Sequence, residues 1–229
     1  MKIFVYDTYD KLSQVAANFV AAQLLKNPSS HIGLTLGNTP AGMYRELIKL
    51  HQEGKVSFSD AWFYNLEEVI GYGPDSPESY RAAYRKLLFD HVGIEPSRMR
   101  LPNGLTEDVE TECSSFDSLL NHLPGNGLDL QILGLGLDGH IGCNNPGDTL
   151  LSASHPVGLS RGRRGMAMGM GSIMHAKCLL MLANGEDKAK AVADMCCAPV
   201  TPRCPSTFLQ LHPNTIVMLD QAAASQLKF

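Results

Sequence analysis

The chain has 229 residues, 44% of them hydrophobic and 18% charged, with a formal net charge of -4. That length fits one large domain with a substantial core better than two. The weakly acidic balance gives no electrostatic ground for nucleic acid or an anionic membrane as partner, and no apolar run reaches the length of a membrane span. The start, Met1 to Asp7, reads as a strand and not as a signal peptide, so the cytoplasm is the expected compartment. The cysteines at 113, 143, 178, 196, 197 and 204 lack the CxxC spacing of a metal or redox motif. No metal is expected. The Cys196-Cys197 pair reads as two small apolar residues on a helix, and Cys143 as a structural residue more than a reactive thiol.

Strand-like and helix-like patterns alternate along the chain. Lys2 to Tyr6 predicts a strand, and Thr8 or Asp10 a cap for a helix reaching Lys26 through Leu12, Val15, Ala16, Phe19, Val20 and Leu24. His31 to Leu36 predicts a second strand, and Pro40 the start of a helix over Ala41 to Gln52. Ala61 to Asn65 is a third strand, followed by Glu67 and Glu68. A helix is expected over Pro77 to Val92 with Ser76 as its cap, and another over Glu107 to His122. Leu128 to Leu133 reads as a buried strand, Met174 or His175 to Leu182 as the next, and Glu186 to Cys197 as the helix after it. Pro205 to Leu211 is a short helix, and Thr215 to Leu219 a last strand before a helical, polar tail. Alternation of this kind predicts a single α/β domain over residues 1–229: a mostly parallel, doubly wound, Rossmann-like sheet with helices on both faces.

In such sheets ligands bind beyond the carboxyl ends of the strands. Four of these ends carry unusual residues: Gly37-Asn38-Thr39, Glu67-Glu68, Asp138-Gly139-His140 and Gly185-Glu186-Asp187-Lys188. The third is the most informative, because an imidazole beside a carboxylate in a glycine-rich turn is a natural proton carrier. Gly37, Asn38 and Thr39 precede a helix, where free amides favour an anion, although the same pattern serves as an ordinary cap. Lys188 in a first helical turn opposes the helix dipole unless an anion, or its neighbours Glu186 and Asp187, offsets it. Two adjacent carboxylates cannot share one direction, so one of Glu67 and Glu68 is expected in the cleft.

At this point the residues resemble the glucosamine-6-phosphate deaminases, also called glucosamine-6-phosphate isomerases, a group allied to the 6-phosphogluconolactonases. Leu36-Gly37-Asn38-Thr39-Pro40 is similar to the family's phosphate loop. Asn65-Leu66-Glu67-Glu68-Val69-Ile70-Gly71 is similar to its Asn-Leu-Asp-Glu-Tyr-Val-Gly segment, and Ser76-Pro77-Glu78-Ser79-Tyr80 to the pattern after it. Gly136 to Ile141 with Asn144-Asn145-Pro146-Gly147 resembles the Asp-Gly-His-Ile…Asn-Glu-Pro-Gly signature. Leu209-Gln210-Leu211-His212-Pro213 also fits.

The resemblance implies an aldose–ketose isomerisation with loss of ammonia, giving fructose 6-phosphate from a hexosamine 6-phosphate, with no metal or organic cofactor. His140 would open the sugar ring, Asp138 would orient it, and Glu67 would move the proton from C2 to C1. Thr39, the amides beside it and Lys188 would hold the phosphate. The chain departs from the pattern at three places. Glu67 stands for Asp, Asn145 for the Glu that tunes the ring-opening His, and Val69 for Tyr. The segment from Gly147 to Gly169 is also short, where the family carries a lid with a phosphate-binding Arg. Arg161, Arg163 and Arg164 lie at the join, either as substitutes, with Arg161 the foremost candidate, or as a solvated basic turn. Two other readings remain: a 6-phosphogluconolactonase-like or other hexose-6-phosphate enzyme, and a non-catalytic sugar-phosphate-binding homologue. The expected assembly is a monomer or small homo-oligomer.

Overall fold

The computed structural model describes residues 1–228. Among the described residues, ten strands form two sheets. The strands are β1 (Lys2–Tyr6), β2 (His31–Leu34), β3 (Trp62–Asn65), β4 (Glu67–Val69), β5 (Met99–Arg100), β6 (Leu130–Gly134), β7 (His155–Gly158), β8 (Arg164–Ala167), β9 (Leu179–Ala183) and β10 (Thr215–Asp220). The helices are α1 (Tyr9–Lys26), α2 (Asn38–Gln52), α3 (Tyr80–Tyr84), α4 (Asp90–Val92), α5 (Val109–Asn121), α6 (Met170–Met174) and α7 (Ala189–Cys197). The main sheet has the order β1-β10-β9-β6-β2-β3-β5, and every pairing in it is parallel.

Side-chain alternation in the central strands builds one core on each face. Leu180, Leu182 and Met218 pack with Leu12, Val20, Met43 and Leu47 of α1 and α2. Leu179, Met181, Val217 and Leu219 pack with Phe116, Ile173, Val192 and Met195 of α5, α6 and α7. All five residues of β9 are buried, as a strand covered on both faces requires. The expected α/β architecture with helices on both faces is therefore the one found.

The chain after β2 runs outward to β3, whereas the chain after β6 runs the other way to β9. These two strands are neighbours, so a crevice opens between their carboxyl ends.

The local differences from expectation have physical reasons. The helix expected from Pro77 begins at Tyr80, with Ser79 as its cap instead of Ser76. Ser76 spends its hydroxyl on Glu78, whereas the buried Glu68 carboxylate accepts from the Tyr80 and Arg81 amides and so fixes the first turn. A π-helical stretch, Arg85–Phe89, then separates α3 from α4. Helix α2 starts at Asn38, ahead of Pro40, and β2 ends at Leu34. The strand expected from Met174 starts only at Leu179, because Met170 and Ile173 bury their side chains at helical spacing in α6. Pro205–Leu211 is a 3-10 helix, and residues 221–226 form turns instead of a helix.

A second sheet was not foreseen. It is antiparallel, in the order β4-β8-β7, and pairs Glu67 with Ala167 and His155 with Ala167.

Candidate active site

A cavity of about 620 Å³ lies beyond the carboxyl ends of β2, β6 and β9. Residues from all four strand-end loops line it, including Asn38, Thr39, Glu67, Asp138, His140 and Lys188.

The end of the cavity suited to an anion is built by backbone. Gly37 precedes α2 and offers no side-chain cap, and the first turn of that helix holds no acidic residue. Its first-turn amides and the positive end of the helix dipole therefore face the cavity with no acidic residue in that turn. Tyr9, at the start of α1, fastens this turn: its hydroxyl donates to the Asn38 and Thr39 carbonyls at 2.9 and 3.0 Å and accepts from the Gly42 amide at 2.8 Å. The Thr39 hydroxyl donates to Asn184 Oδ1 at 2.6 Å, tying this loop to the end of β9. The loop carrying Lys188 is held in turn by Asp220, which accepts from the Gly185 amide. Lys188 closes a short 3-10 turn, Glu186–Lys188, ahead of α7, and its neighbour Asp187 also lines the cavity.

The end of the cavity suited to proton transfer is built by side chains. Asp138 Oδ1 accepts from the His140 amide at 3.1 Å and lies 2.6 Å from His140 Nδ1, which fixes the ring orientation. Burial pushes the Asp138 carboxyl up, but the bonds from His140 outweigh it and hold it below its usual range. The ring lies against Gly136, where a Cβ would come 2.2 Å from His140 Nδ1. Only glycine allows that approach. Gly139, at φ +84°, has Cys204 Sγ where a side chain would stand.

Glu67 and Glu68 point apart, as successive strand residues must. Glu67 lines the cavity; Glu68, 2% exposed, turns inward to the amides of Val69, Tyr80 and Arg81. The Glu67 main chain is held by the Asn65 amide, and Asn65 is held by the buried Tyr84 hydroxyl at 2.7 Å. Burial raises the Glu67 carboxyl above its ordinary range, partly offset by a hydrogen bond from Cys143 and by His140. A carboxylate with a raised pKa beside an oriented imidazole is suited to moving protons near neutral pH.

The structure gathers Gly37, Asn38, Thr39, Glu67, Asp138, His140 and Lys188 around one cavity. It does not gather the other two candidates. Asn145 is exposed and lines a separate cavity of about 320 Å³ with Cys143 and His155. Arg161 is exposed, with φ +62°, in the turn between β7 and β8, and is not among the lining residues of the main cavity. Tyr9, Asn184, Asp220 and the Cys143 contact were missed, since each acts across a long stretch of chain.

The family model described as glucosamine-6-phosphate isomerases/6-phosphogluconolactonase matches residues 7–218. A glucosamine-6-phosphate deaminase of Clostridium perfringens (strain 13 / Type A) is 38% identical over 244 aligned positions, covering 100% of both chains. That of Clostridioides difficile (strain 630) is 37% identical, covering 99% of this chain and 97% of the relative. Among solved structures, a monomeric glucosamine-6-phosphate deaminase superposes with a TM-score of 0.94 at 35% identity, covering 99% and 100% of the two chains. A 6-phosphogluconolactonase from Trypanosoma cruzi reaches 0.80 at 19% identity, covering 100% and 97%, a likeness of fold. Family model, relatives and cavity agree, and the chain belongs to the glucosamine-6-phosphate isomerase/6-phosphogluconolactonase family.

Proposed function

We propose that the chain, acting as one sugar-phosphate domain over residues 1–229, is a glucosamine-6-phosphate deaminase of the cytoplasm, where its charged substrate is confined. The observation that carries this reading is the pairing, in one cavity, of an enclosed carboxylate with an aspartate-oriented histidine opposite an uncapped helix N-terminus. The substrate phosphate sits on the amides of Gly37, Asn38 and Thr39, with Lys188 as counter-charge. His140 passes a proton between the ring oxygen and O1, opening the sugar. Glu67 takes the proton from C2 and returns it to C1. The C2 imine then adds water, ammonia departs, and fructose 6-phosphate remains. Holding phosphate and reacting carbons in one register is what makes the transfer productive.

Hydrolysis of a 6-phosphogluconolactone would need the histidine and the phosphate seat but no base at C2. The placement of Glu67 in the cavity, with its pKa raised, favours the deaminase. The 244 aligned positions against 229 residues mean that the Clostridium perfringens relative carries residues this chain lacks. A shortened lid accords with that, and in this reading the tight β7–β8 hairpin stands in its place.

The test is ammonia release by the purified protein from glucosamine 6-phosphate, beside Glu67→Gln. Turnover that collapses in the variant supports the reading. Stabilisation by the sugar phosphate without ammonia release by the unaltered protein would replace it with a binding protein or another hexose-6-phosphate enzyme.

A further inference from the structure

Glu67 has one side-chain partner for its carboxylate among the described residues, and it comes from a distant loop: the Cys143 thiol donates to Oε2. The contact is held from both sides by the small sheet. The Met168 amide, at the end of β8, donates to the Leu66 carbonyl at 2.6 Å, fixing the residue before Glu67. The Met168 carbonyl accepts from Asn144 Nδ2 at 2.9 Å, fixing the residue after Cys143. Asn144 is 2% exposed and also donates to Ile141, so this loop has little freedom to withdraw. Cys143 lines the smaller cavity, whereas Glu67 lines the larger, so their contact forms part of the wall between the two.

We propose that Cys143 is a positioning residue for the reaction assigned above: its thiol holds Oε2 of Glu67 and leaves Oε1 to receive the proton from the substrate carbon. This inference rests on the deaminase reading for its kinetic consequence, but not for the contact itself. Burial, and then the Glu67 charge, keep the thiol well above its ordinary pKa, so it serves as a hydrogen donor and not as a nucleophile. A donor aimed at the ionised form favours ionisation and opposes the burial that raises Glu67. The other titratable groups around Glu67 are His140, Tyr80, Tyr84 and the adjacent Glu68. Burial raises both tyrosines, with Glu67 adding to the shift, so they remain neutral in the working range. Cys143 is thus the partner whose removal alters the carboxylate without altering the ring-opening pair.

The experiment compares Cys143→Ala and Cys143→Ser with the unaltered protein, in pH profiles of kcat and KM for glucosamine 6-phosphate. The alanine variant is expected to lose about tenfold in kcat with KM within about twofold, and its acid limb moves to higher pH by about half a unit or more. The serine variant, which keeps a donor, recovers most of both. An acid limb unchanged in Cys143→Ala, or a serine variant as impaired as alanine, overturns the assignment. Infrared titration of the Glu67 carboxyl in ligand-free protein, identified by subtraction of Glu67→Gln, reads the same shift without turnover. If the unaltered protein releases no ammonia, the deaminase reading fails. The infrared midpoint, higher in Cys143→Ala or unmoved, still decides the Cys143 contact.

Discussion

The two ends of the cavity are made in different ways. At the anion end the proposed phosphate seat is a helix N-terminus with its glycine, to which the Thr39–Asn184 bond joins the lysine loop from beyond β9. At the proton-transfer end Glu67 meets His140 and Cys143 across more than seventy residues, and the antiparallel sheet joins the loops. The first is a general device for holding phosphate. The second is particular to one kind of chemistry. The difference teaches that affinity and reaction are separable here: changes at one end should move KM, and at the other kcat.

The sharpest break of that division is Glu67→Gln. It should reduce kcat by about a thousandfold while leaving phosphate-dependent binding close to normal. The same substitution should raise the melting temperature at pH 7.5. A carboxyl whose folded pKa lies above the unfolded value stabilises the fold fully only while it is protonated. That contribution is lost as pH rises through the folded pKa, so neutral Gln gains over ionised Glu at pH 7.5 and gains nothing below about pH 4.5. A melting scan at the two pH values checks the sign.

Gly136→Ala comes next. Its Cβ would press on the His140 ring, so kcat should fall by about a hundredfold, with the fold retained as judged by circular dichroism. Lys188→Ala should raise KM by about tenfold or more and leave kcat within about twofold, with steady-state kinetics as the check. The smallest effect belongs to Tyr9→Phe. Loss of its hydroxyl frees the first turn of α2, and KM should rise a few-fold, together with a weaker thermal shift from inorganic phosphate. A drop in kcat alone for either Lys188 or Tyr9 would contradict the division between the two ends.

How much of this was legible in the sequence follows from distance along the chain. The apolar run Leu179 to Leu182, and the turn from Leu133 to His140, are local patterns, and they located the main sheet and the histidine loop. The turn Gly37-Asn38-Thr39 was equally local, whereas its ties to Tyr9 and Asn184 were not. The choice of Glu67 over Glu68 came from the family resemblance and not from the local pattern, because it depends on the short strand β4 and on the amides of Tyr80 and Arg81. The antiparallel sheet escaped notice because β7 and β8 are four residues each, and Gly158, Gly162 and Gly165 in and between them read as a turn. Cys143 looked structural for a related reason: only the folded chain brings it to a carboxylate seventy-six positions away.

Proton transfer by Glu67 is tested most directly by running the reaction in heavy water and following the sugar by proton NMR. Unaltered protein should discharge the C2 hydrogen and deliver one hydrogen isotope to C1 as ammonia appears, while Glu67→Gln shows neither event at a comparable rate. Loss of the C2 hydrogen and ammonia release by Glu67→Gln at the unaltered protein's rate would contradict the assignment.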